Sequence, residues 1–363
     1  MFRSVSVVLG SMVIVVTLGF AAVLTVWHLG HNVDREVARI GSAFPSEAPR
    51  PPTEPEELTI LLLGEDWHPD TERHGRTDAV MLVRVPAHRS SVMVVSIPRD
   101  SWVDLPGRGQ GKINSALALG GPALAVSTVE ELTRIRIDHL MMIDGDGFQS
   151  LTDALGGVTV HVPDTVHDSA RDITWTAGPH HLDGAGALDY VGQRYGLPNG
   201  DLDRVRRHQN LLRALMADLI EETRSHDPLT LFQLVDAVSD SIALDDEWSM
   251  DELRDLVLSL RYLEPSDLTF TTAPVSGPDQ VGGQSVIRLD RDRGDELWTA
   301  IREDWGPDWV HQERAALAGP VRGDLAEMTN LGWSVEAGAL AAALGMSEIA
   351  LLNDLQAQGH ALA

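Results

Sequence analysis

Short apolar runs alternate with amphipathic segments over the middle of the chain. Continuously apolar runs of about four to eight residues, rich in Val, Ile and Leu, are typical of buried strands. Segments with apolar residues three and four positions apart are typical of helices that pack one face against a sheet. The predicted strands are residues 58–63, 79–85, 91–97, 139–143, 158–162, 268–273 and 285–289. The predicted helices are residues 120–133, 147–155, 182–191, 202–222, 229–238, 250–260 and 295–303.

The order of these elements predicts the fold class. Strands that alternate with helices along a chain are typical of an α/β protein, in which helices cover the faces of a sheet. The spacing of the elements predicts a mixed central sheet flanked by helices, as an α/β/α sandwich. We assign this predicted domain to residues 58–305.

The N-terminal pattern is different and predicts a membrane anchor. Residues 5–27 are apolar and uncharged, which is long enough to cross a hydrocarbon core of about 30 Å as one helix. Arg3 precedes this run and mixed charges follow it, which favours a cytoplasmic N-terminus and an exported remainder. A cleaved signal peptide is the alternative, but the run is long for one and lacks a clear small-x-small cleavage site. We therefore expect a single-pass anchor in residues 1–32, which places the rest of the chain outside the cytoplasm.

The segments on either side of the predicted domain have their own compositions. Residues 33–57 are rich in Pro and Glu, which predicts an extended linker. Residues 306–363 include two segments, 335–344 and 348–358, that predict short helices around Gly345. We expect a small helical extension there, and its acidic character argues against a DNA-binding helix-turn-helix.

Composition narrows the possible functions. The formal net charge of −26 over 363 residues disfavours broad nucleic-acid binding, because phosphates require positive charge. The absence of cysteine excludes disulfides and thiolate metal sites. Of 28 basic residues only Lys112 is a lysine, so a compact ammonium is used there in place of a planar guanidinium.

Two carboxylates flank the loop between the first two predicted strands. Asp66 directly follows one strand, and Asp78, preceded by Arg76, leads into the next. Two carboxylates near one point can share a hard cation such as Mg²⁺, which prefers oxygen ligands. The alternative is that both are ordinary turn or capping residues.

Basic residues follow a later strand and begin the longest predicted helix. Arg99 comes directly after a strand with Lys112 farther along, and such a pair can bind a diphosphate or simply pair with surface carboxylates. Arg204, Arg207 and His208 share one helical face by their spacing. They follow Asp201, which can cap that helix, and a helix N-terminus favours anions. In so acidic a chain this densest positive cluster predicts an anion site.

These clusters, taken in order, resemble the LytR–CpsA–Psr family of cell-wall ligases between about residues 58 and 303. The motifs that carry the resemblance are LLLGED, GRTDAVML, SIPRDSWVDLPGRGQGKINSALALGG, DALGGVTVHV, HHLDGAGALDYVGQR and GDLDRVRRHQ. The resemblance implies an enzyme that moves a glycopolymer with its phosphate from a polyprenyl-pyrophosphate carrier to peptidoglycan. It also implies an apolar tunnel for the lipid.

The resemblance implies roles for particular residues of this chain. Asp66 and Asp78 match the ligands of Mg²⁺ or Mn²⁺. Arg76, Arg99 and Asp201 match catalytic positions. The implied contacts to the pyrophosphate are Arg76, Arg99, Arg194 and Arg204, to which we add Lys112 and Arg207.

The chain also departs from the family pattern. The family motif is Tyr-x-Arg-x-Arg, and this chain has Gly192 in place of the first arginine. His68 and His208 occupy positions at which the family has arginine and glutamine, respectively. Arg206 or Arg207 is the nearest candidate to compensate. Two alternatives therefore stay open, a catalytically weak protein that binds the lipid carrier in a regulatory role, and a pyrophosphatase that uses water as the acceptor.

Overall fold

The computed structural model describes residues 37–46, 50–52, 57–65, 75, 77–193, 195–198, 200–224, 242–318, 321–322, 325–328 and 333–336. Within these residues no helix is long and apolar enough to cross a membrane. The predicted anchor at residues 5–27 and the predicted helix at 229–238 lie outside them. The chain divides into two compact units, Met1–Arg291 and Asp292–Ala363.

The first unit is built on a mixed seven-stranded sheet. Its strands are β1 (Ala38–Ile40), β2 (Leu58–Glu65), β3 (Thr77–Val85), β4 (Val92–Ser96), β7 (His139–Ile143), β12 (Ile242–Asp245) and β13 (Leu268–Thr272). The spatial order is β1-β12-β7-β2-β3-β4-β13. β2 pairs in parallel with β7 and antiparallel with β3, while β4 pairs in parallel with β13. The predicted mixed α/β sheet is confirmed.

Pairs of antiparallel strands form small separate sheets in the first unit. They are β5 (Trp102–Leu105) with β6 (Gly109–Lys112), β8 (Val158–Val162) with β11 (Gly178–Leu182), β9 (Val166–Asp168) with β10 (Ile173–Trp175), and β14 (Val275–Val281) with β15 (Gln284–Leu289). Of these, only β8 and β15 match predicted strands, because the others are short, polar or glycine-rich and show little alternation.

Within the described part of the first unit, five α-helices accompany the sheet. They are α1 (Ser115–Thr133), α2 (Gly145–Ala154), α3 (Gly184–Gly192), α4 (Asp201–Arg224) and α5 (Met250–Ser259). α1 starts before the predicted residue 120, and it is kinked there because Gly120 and Gly121 have non-helical backbone angles ahead of Pro122.

The core lies on both faces of the central strands. Phe270 of β13 and Val94 of β4 pack with Ile220 of α4 on one face. Leu61 and Leu63, which point to the face opposite Leu62 by the two-residue period of a strand, are also fully buried. Both faces of the sheet are therefore covered, as a sandwich requires.

The structure corrects the predicted linker at residues 33–57. Ala38–Ile40 forms β1, an edge strand that pairs in parallel with β12. Val37 and Ile40 are buried, and Arg50 binds the buried carboxylate of Glu130 at 2.8 Å. Polar composition predicted an extended linker, but a few apolar residues suffice to dock a short strand on an open sheet edge.

The second unit, Asp292–Ala363, begins before the predicted domain end at residue 305, which stays a prediction. It contains α6 (Arg291–Arg302), α7 (Gly306–Ala318) and a three-stranded antiparallel sheet of β16 (Val321–Arg322), β17 (Leu325–Met328) and β18 (Trp333–Glu336). Arg293 of α6 forms an ion pair with Glu313 of α7. The helix predicted at 295–303 thus belongs with the following residues. The predicted helix at 335–344 begins in β18, and residues 337–363 lie outside the described part.

Candidate active site

The pairing of β3 with β4 brings Asp78 beside Arg99. The two strands are antiparallel with Met81 opposite Ser96, so the start of β3 lies next to the loop that follows β4. Asp78 stands at that start, and Arg99 lies in that loop. Arg99 Nη1 donates a hydrogen bond to Asp78 Oδ1 and forms an ion pair with it.

Helix α4 adds a second guanidinium to the same carboxylate. Arg204 lies in the first turn of the helix and is buried. Its Nη2 atom is 3.8 Å from Asp78 Oδ1. Three residues that are far apart in sequence, Asp78, Arg99 and Arg204, therefore converge at one point.

Gln209 fixes the start of α4 over the ends of two strands. Its Nε2 atom donates to the Thr271 carbonyl over 2.6 Å and contacts Ser96 Oγ at 3.0 Å. Ser96 ends β4 and Thr271 lies near the end of β13. The side-chain amide of Gln209 therefore fixes the position of α4, which carries Arg204, relative to the ends of β4 and β13.

A mostly apolar cavity of about 400 Å³ opens beside this cluster. Its walls come from β2, β3, β7, β12, α2, α3, α4 and α5. The apolar lining consists of Leu62, Ala79, Met81, Met141, Ile143, Phe148, Leu151, Leu188, Val191, Leu211, Leu212, Leu215, Leu219, Ile242, Leu253 and Val257. Asp78, Arg204 and His208 also line it, so charge and apolar surface meet in one space.

His208 is the neutral member of this group. Its Nε2 atom lies 3.3 Å from the Val191 carbonyl. Burial, followed by the nearby positive charge of Arg204, lowers the pKa of His208 to about 4. At neutral pH the imidazole is therefore uncharged, and the positive charge at this end of the cavity comes from Arg204 and Arg99.

Two predicted phosphate contacts have other partners in the structure. Arg207 is buried, donates to the Tyr190 carbonyl over 3.0 Å and lies 4.4 Å from the centroid of the Tyr190 ring. The guanidinium thus holds α4 to α3 in the structure, and its predicted contact to the pyrophosphate stays a prediction. Lys112 Nζ is 2.7 Å from Asp100 Oδ1 at the end of the β5–β6 hairpin. Lys112 thus lies on the segment next to Arg99 but is paired with a carboxylate.

The remaining predicted site residues are not described. Asp66, Arg76 and Arg194 lie outside the described residues, and Asp201 is described only as the first backbone position of α4. Their roles stay predictions. Sequence reasoning missed the stabilising part played by Gln209, although it belongs to the RRHQ motif that we singled out.

Of the two predicted metal ligands, Asp66 and Asp78, Asp78 is the one that lies within the described residues. Its side chain is about one-third exposed, at 35%, and carries the type of oxygen atom that Mg²⁺ prefers. Among the described residues, no group of three or more His, Asp or Glu side chains is arranged to hold a metal ion. The donor chemistry fits a shared cation only if Asp66 is added.

The chain is similar to curated cell-wall proteins. It is 31% identical over 283 residues to the cell wall biosynthesis protein LcpA of Corynebacterium glutamicum, which covers 70% of this chain and 53% of LcpA. It is 32% identical over 238 residues to the polyisoprenyl-teichoic acid–peptidoglycan teichoic acid transferase TagU of Enterococcus faecalis, covering 65% of this chain and 75% of TagU. The chain thus spans about half the length of LcpA.

The fold has counterparts among solved structures. The LytR-Csp2A-Psr enzyme from Actinomyces oris superimposes with a TM-score of 0.59 at 23% identity, covering 73% of this chain and 96% of that one. A Glucokinase family model matches residues 298–363, which include most of the second unit. The LytR_cpsA_psr family model matches residues 25–303, including the whole cavity and its charged cluster, and the chain therefore belongs to the LytR–CpsA–Psr family.

Proposed function

We propose that this protein transfers a glycopolymer with its phosphate from a polyprenyl-pyrophosphate carrier to peptidoglycan. The observation that carries the proposal is the apolar cavity with Asp78, Arg204 and His208 in its lining. A polyprenyl chain requires an apolar cavity, and a diphosphate requires guanidinium groups beside it. The name of the relative TagU, a teichoic acid transferase that acts on a polyisoprenyl-linked substrate, supports the same substrate class.

The proposed binding mode follows from the position of the charges. The lipid tail lies among the leucines of α4 and the apolar residues of α5, and the diphosphate lies at Arg204 and Arg99. Arg76 and Arg194 add further contacts by their match to the family motifs. We do not include Arg207 among the proposed diphosphate contacts, because its guanidinium donates to the Tyr190 carbonyl.

The proposed reaction is a phosphoryl transfer between two oxygens. A hydroxyl oxygen of the wall sugar attacks the phosphorus attached to the glycan, and the bond from that phosphorus to the lipid phosphate breaks. Polyprenyl phosphate leaves, and Asp201 is the proposed acceptor of the hydroxyl proton. Catalysis of such a step consists mainly of positioning and of neutralising charge on oxygen, which Arg99 and Arg204 supply.

We also propose a magnesium or manganese requirement and a membrane location. Asp78 with Asp66 would hold the cation, whose contribution when bound is to neutralise charge on the diphosphate oxygens. Residues 5–27 would anchor the chain in the cell membrane with the folded units outside the cytoplasm. An exported position is consistent with a peptidoglycan acceptor.

The test is the release of polyprenyl phosphate from a polyprenyl-pyrophosphate glycan by the full-length chain in detergent. Release should require Mg²⁺ and a peptidoglycan fragment as acceptor. Asp78→Ala and Arg99→Ala should each reduce the rate roughly tenfold to a hundredfold, because each removes a charged contact worth about 1.5–3 kcal/mol. If the wild type is as inert as both variants, the protein is not a transferase. Release without an acceptor would indicate a pyrophosphatase.

A further inference from the structure

Gly192 leaves a gap in the charged lining of the cavity. It contributes to the lining together with Arg204 and His208, and it follows Val191, whose carbonyl contacts His208. A glycine adds no side chain to the site, whereas the related motif has an arginine at this position. We propose that Arg171, from the turn between β9 and β10, supplies the missing diphosphate-binding guanidinium. This inference rests on the proposed function.

The guanidinium of Arg171 occupies the space next to Gly192 where a side chain would begin. A Cβ atom at Gly192 would lie 2.8 Å from Arg171 Nη2 and 3.6 Å from its Cζ. No Cβ atom tolerates a contact at the shorter distance without movement of the arginine. The absence of a side chain at residue 192 and the presence of Arg171 there are therefore linked.

Two hydrogen bonds and one ion pair set the orientation of Arg171. Its Nη1 atom donates to the Gly192 carbonyl over 3.1 Å and to Asp168 Oδ2 over 3.0 Å. Its Nε atom is 3.0 Å from Asp189 Oδ1. Asp168 is fully buried and also accepts from the Ala170 amide, so it is a fixed anchor. The guanidinium is therefore preorganised.

The Nη2 amino group is the one that remains for a ligand. It makes no hydrogen bond to any residue that the structure describes, and the Arg171 side chain is about one-third exposed, at 35%. A guanidinium is a rigid fork, so fixing Nε and Nη1 also fixes the direction of the Nη2 donors. Such a donor suits a phosphate oxygen, for which arginine is the preferred partner.

The other arginines proposed to compensate for Gly192 are less suitable. Arg206 is exposed and paired with Asp203 at 3.0 Å. Arg207 is buried and committed to Tyr190. Asp168 and Asp189 give the Arg171 group a net charge of −1, so Arg171 contributes directed N–H donors while Arg99 and Arg204 supply the attraction.

Binding of geranylgeranyl pyrophosphate to the full-length chain in detergent tests the inference. Isothermal titration calorimetry would compare wild type, Arg171→Ala, and Arg206→Ala as a control that also removes one positive charge. We expect roughly a tenfold to hundredfold weaker Kd for Arg171→Ala and a change within about twofold for Arg206→Ala. Equal affinities of these two variants would overturn the inference.

A rescue experiment separates ligand binding from a structural role. In Arg171→Ala the space beside residue 192 is empty, so adding Gly192→Arg should restore about tenfold or more of the lost affinity. A double variant with wild-type Tm but no recovery would overturn the proposal. If Arg171→Ala does not fold, Arg171→Lys keeps the charge but lacks Nη2. It should bind roughly tenfold or more weakly, and wild-type affinity would contradict us.

Failure of the proposed function would look different. In that case the wild type would bind geranylgeranyl pyrophosphate no better than geranylgeranyl phosphate, and Arg204→Ala would change nothing. If wild type binds the diphosphate and Arg204→Ala weakens it, but the Arg171 variants match the Arg206→Ala control, only the role of Arg171 is wrong.

Discussion

At the scale of single residues, the first turns of α4 show how helical spacing distributes chemistry. Arg204 and His208 are four positions apart and both line the cavity, whereas Arg207 turns to Tyr190. Neighbouring positions on a helix differ by about 100°, so residues 207 and 208 lean to opposite sides of Arg204. The spacing predicted that all three residues share one face of the helix. In the structure, Arg204 and His208 line the cavity, whereas Arg207 contacts the adjacent helix α3.

His208 predicts a particular sensitivity to acid. Its pKa in the folded protein, about 4, lies below the ordinary value of 6.5, so the unfolded chain binds the proton more readily between these values. Stability should therefore be fully present above pH 6.5 and fall as the pH drops towards 4. The loss attributable to His208 should be at most about 3 kcal/mol.

The measurement is the free energy of unfolding by urea at pH 7 and pH 5 for wild type and His208→Gln. Glutamine does not titrate, so the variant should lose clearly less stability than the wild type over this interval. Identical pH dependence in the two proteins would mean that His208 is not held in the neutral form by the fold.

At the scale of elements, α5 forms a wall of the cavity, and its obstruction should affect lipid binding selectively. Val257 lines the cavity, whereas Ser259 on the same helix is exposed and outside the lining. Val257→Trp should weaken binding of a long polyprenyl pyrophosphate roughly tenfold or more, because the added ring takes up volume that the tail requires. Ser259→Trp should bind as the wild type does. Equal binding by both variants would place the lipid elsewhere.

The crossing of α2 and α3 makes a second prediction. A Cβ atom at Gly184 would lie 2.4 Å from the backbone oxygen of Gln149, whereas one at Gly145 would meet only Leu188 side-chain atoms at 3.7 Å or more. Gly184→Ala should lower the free energy of unfolding by about 1–3 kcal/mol, since backbone cannot move aside cheaply. Gly145→Ala, the matched control, should change it by at most about 0.5 kcal/mol. Urea denaturation of both variants would show whether this close approach determines the helix packing.

At the scale of the whole first unit, the segment before β2 is part of the folded structure. Arg50 binds the buried Glu130 and the Ile137 carbonyl. Arg50→Ala would leave that carboxylate without its guanidinium, so we expect a loss of about 3–5 kcal/mol in unfolding free energy. Arg288→Ala, which breaks the exposed pair with Asp279, should cost far less, because solvent-exposed ion pairs contribute little to stability. If Arg50→Ala cost no more than Arg288→Ala, residues 37–46 and 50–52 would contribute little to stability.

The sequence predicted the central elements well because their signals are local. Strands such as β2 and β4 are continuous apolar runs, and α4 has a long amphipathic repeat, so each is predicted independently of its neighbours. β1 and the two strands of the β9–β10 hairpin are only three residues long and mix polar with apolar residues. Such strands are stabilised by an adjacent edge or turn, which a local pattern does not reveal.

The sequence by itself determined which chemistry is available: carboxylates and arginines at strand ends, placed in an order that resembles one family. Only the tertiary structure decided which of these side chains meet. It joined Asp78, Arg99 and Arg204 beside an apolar cavity, turned Arg207 and Lys112 to other partners, and brought Arg171 to the gap at Gly192. The reason is physical, since residue type fixes charge and hydrogen-bonding capacity, whereas strand register and helix packing fix distance and direction.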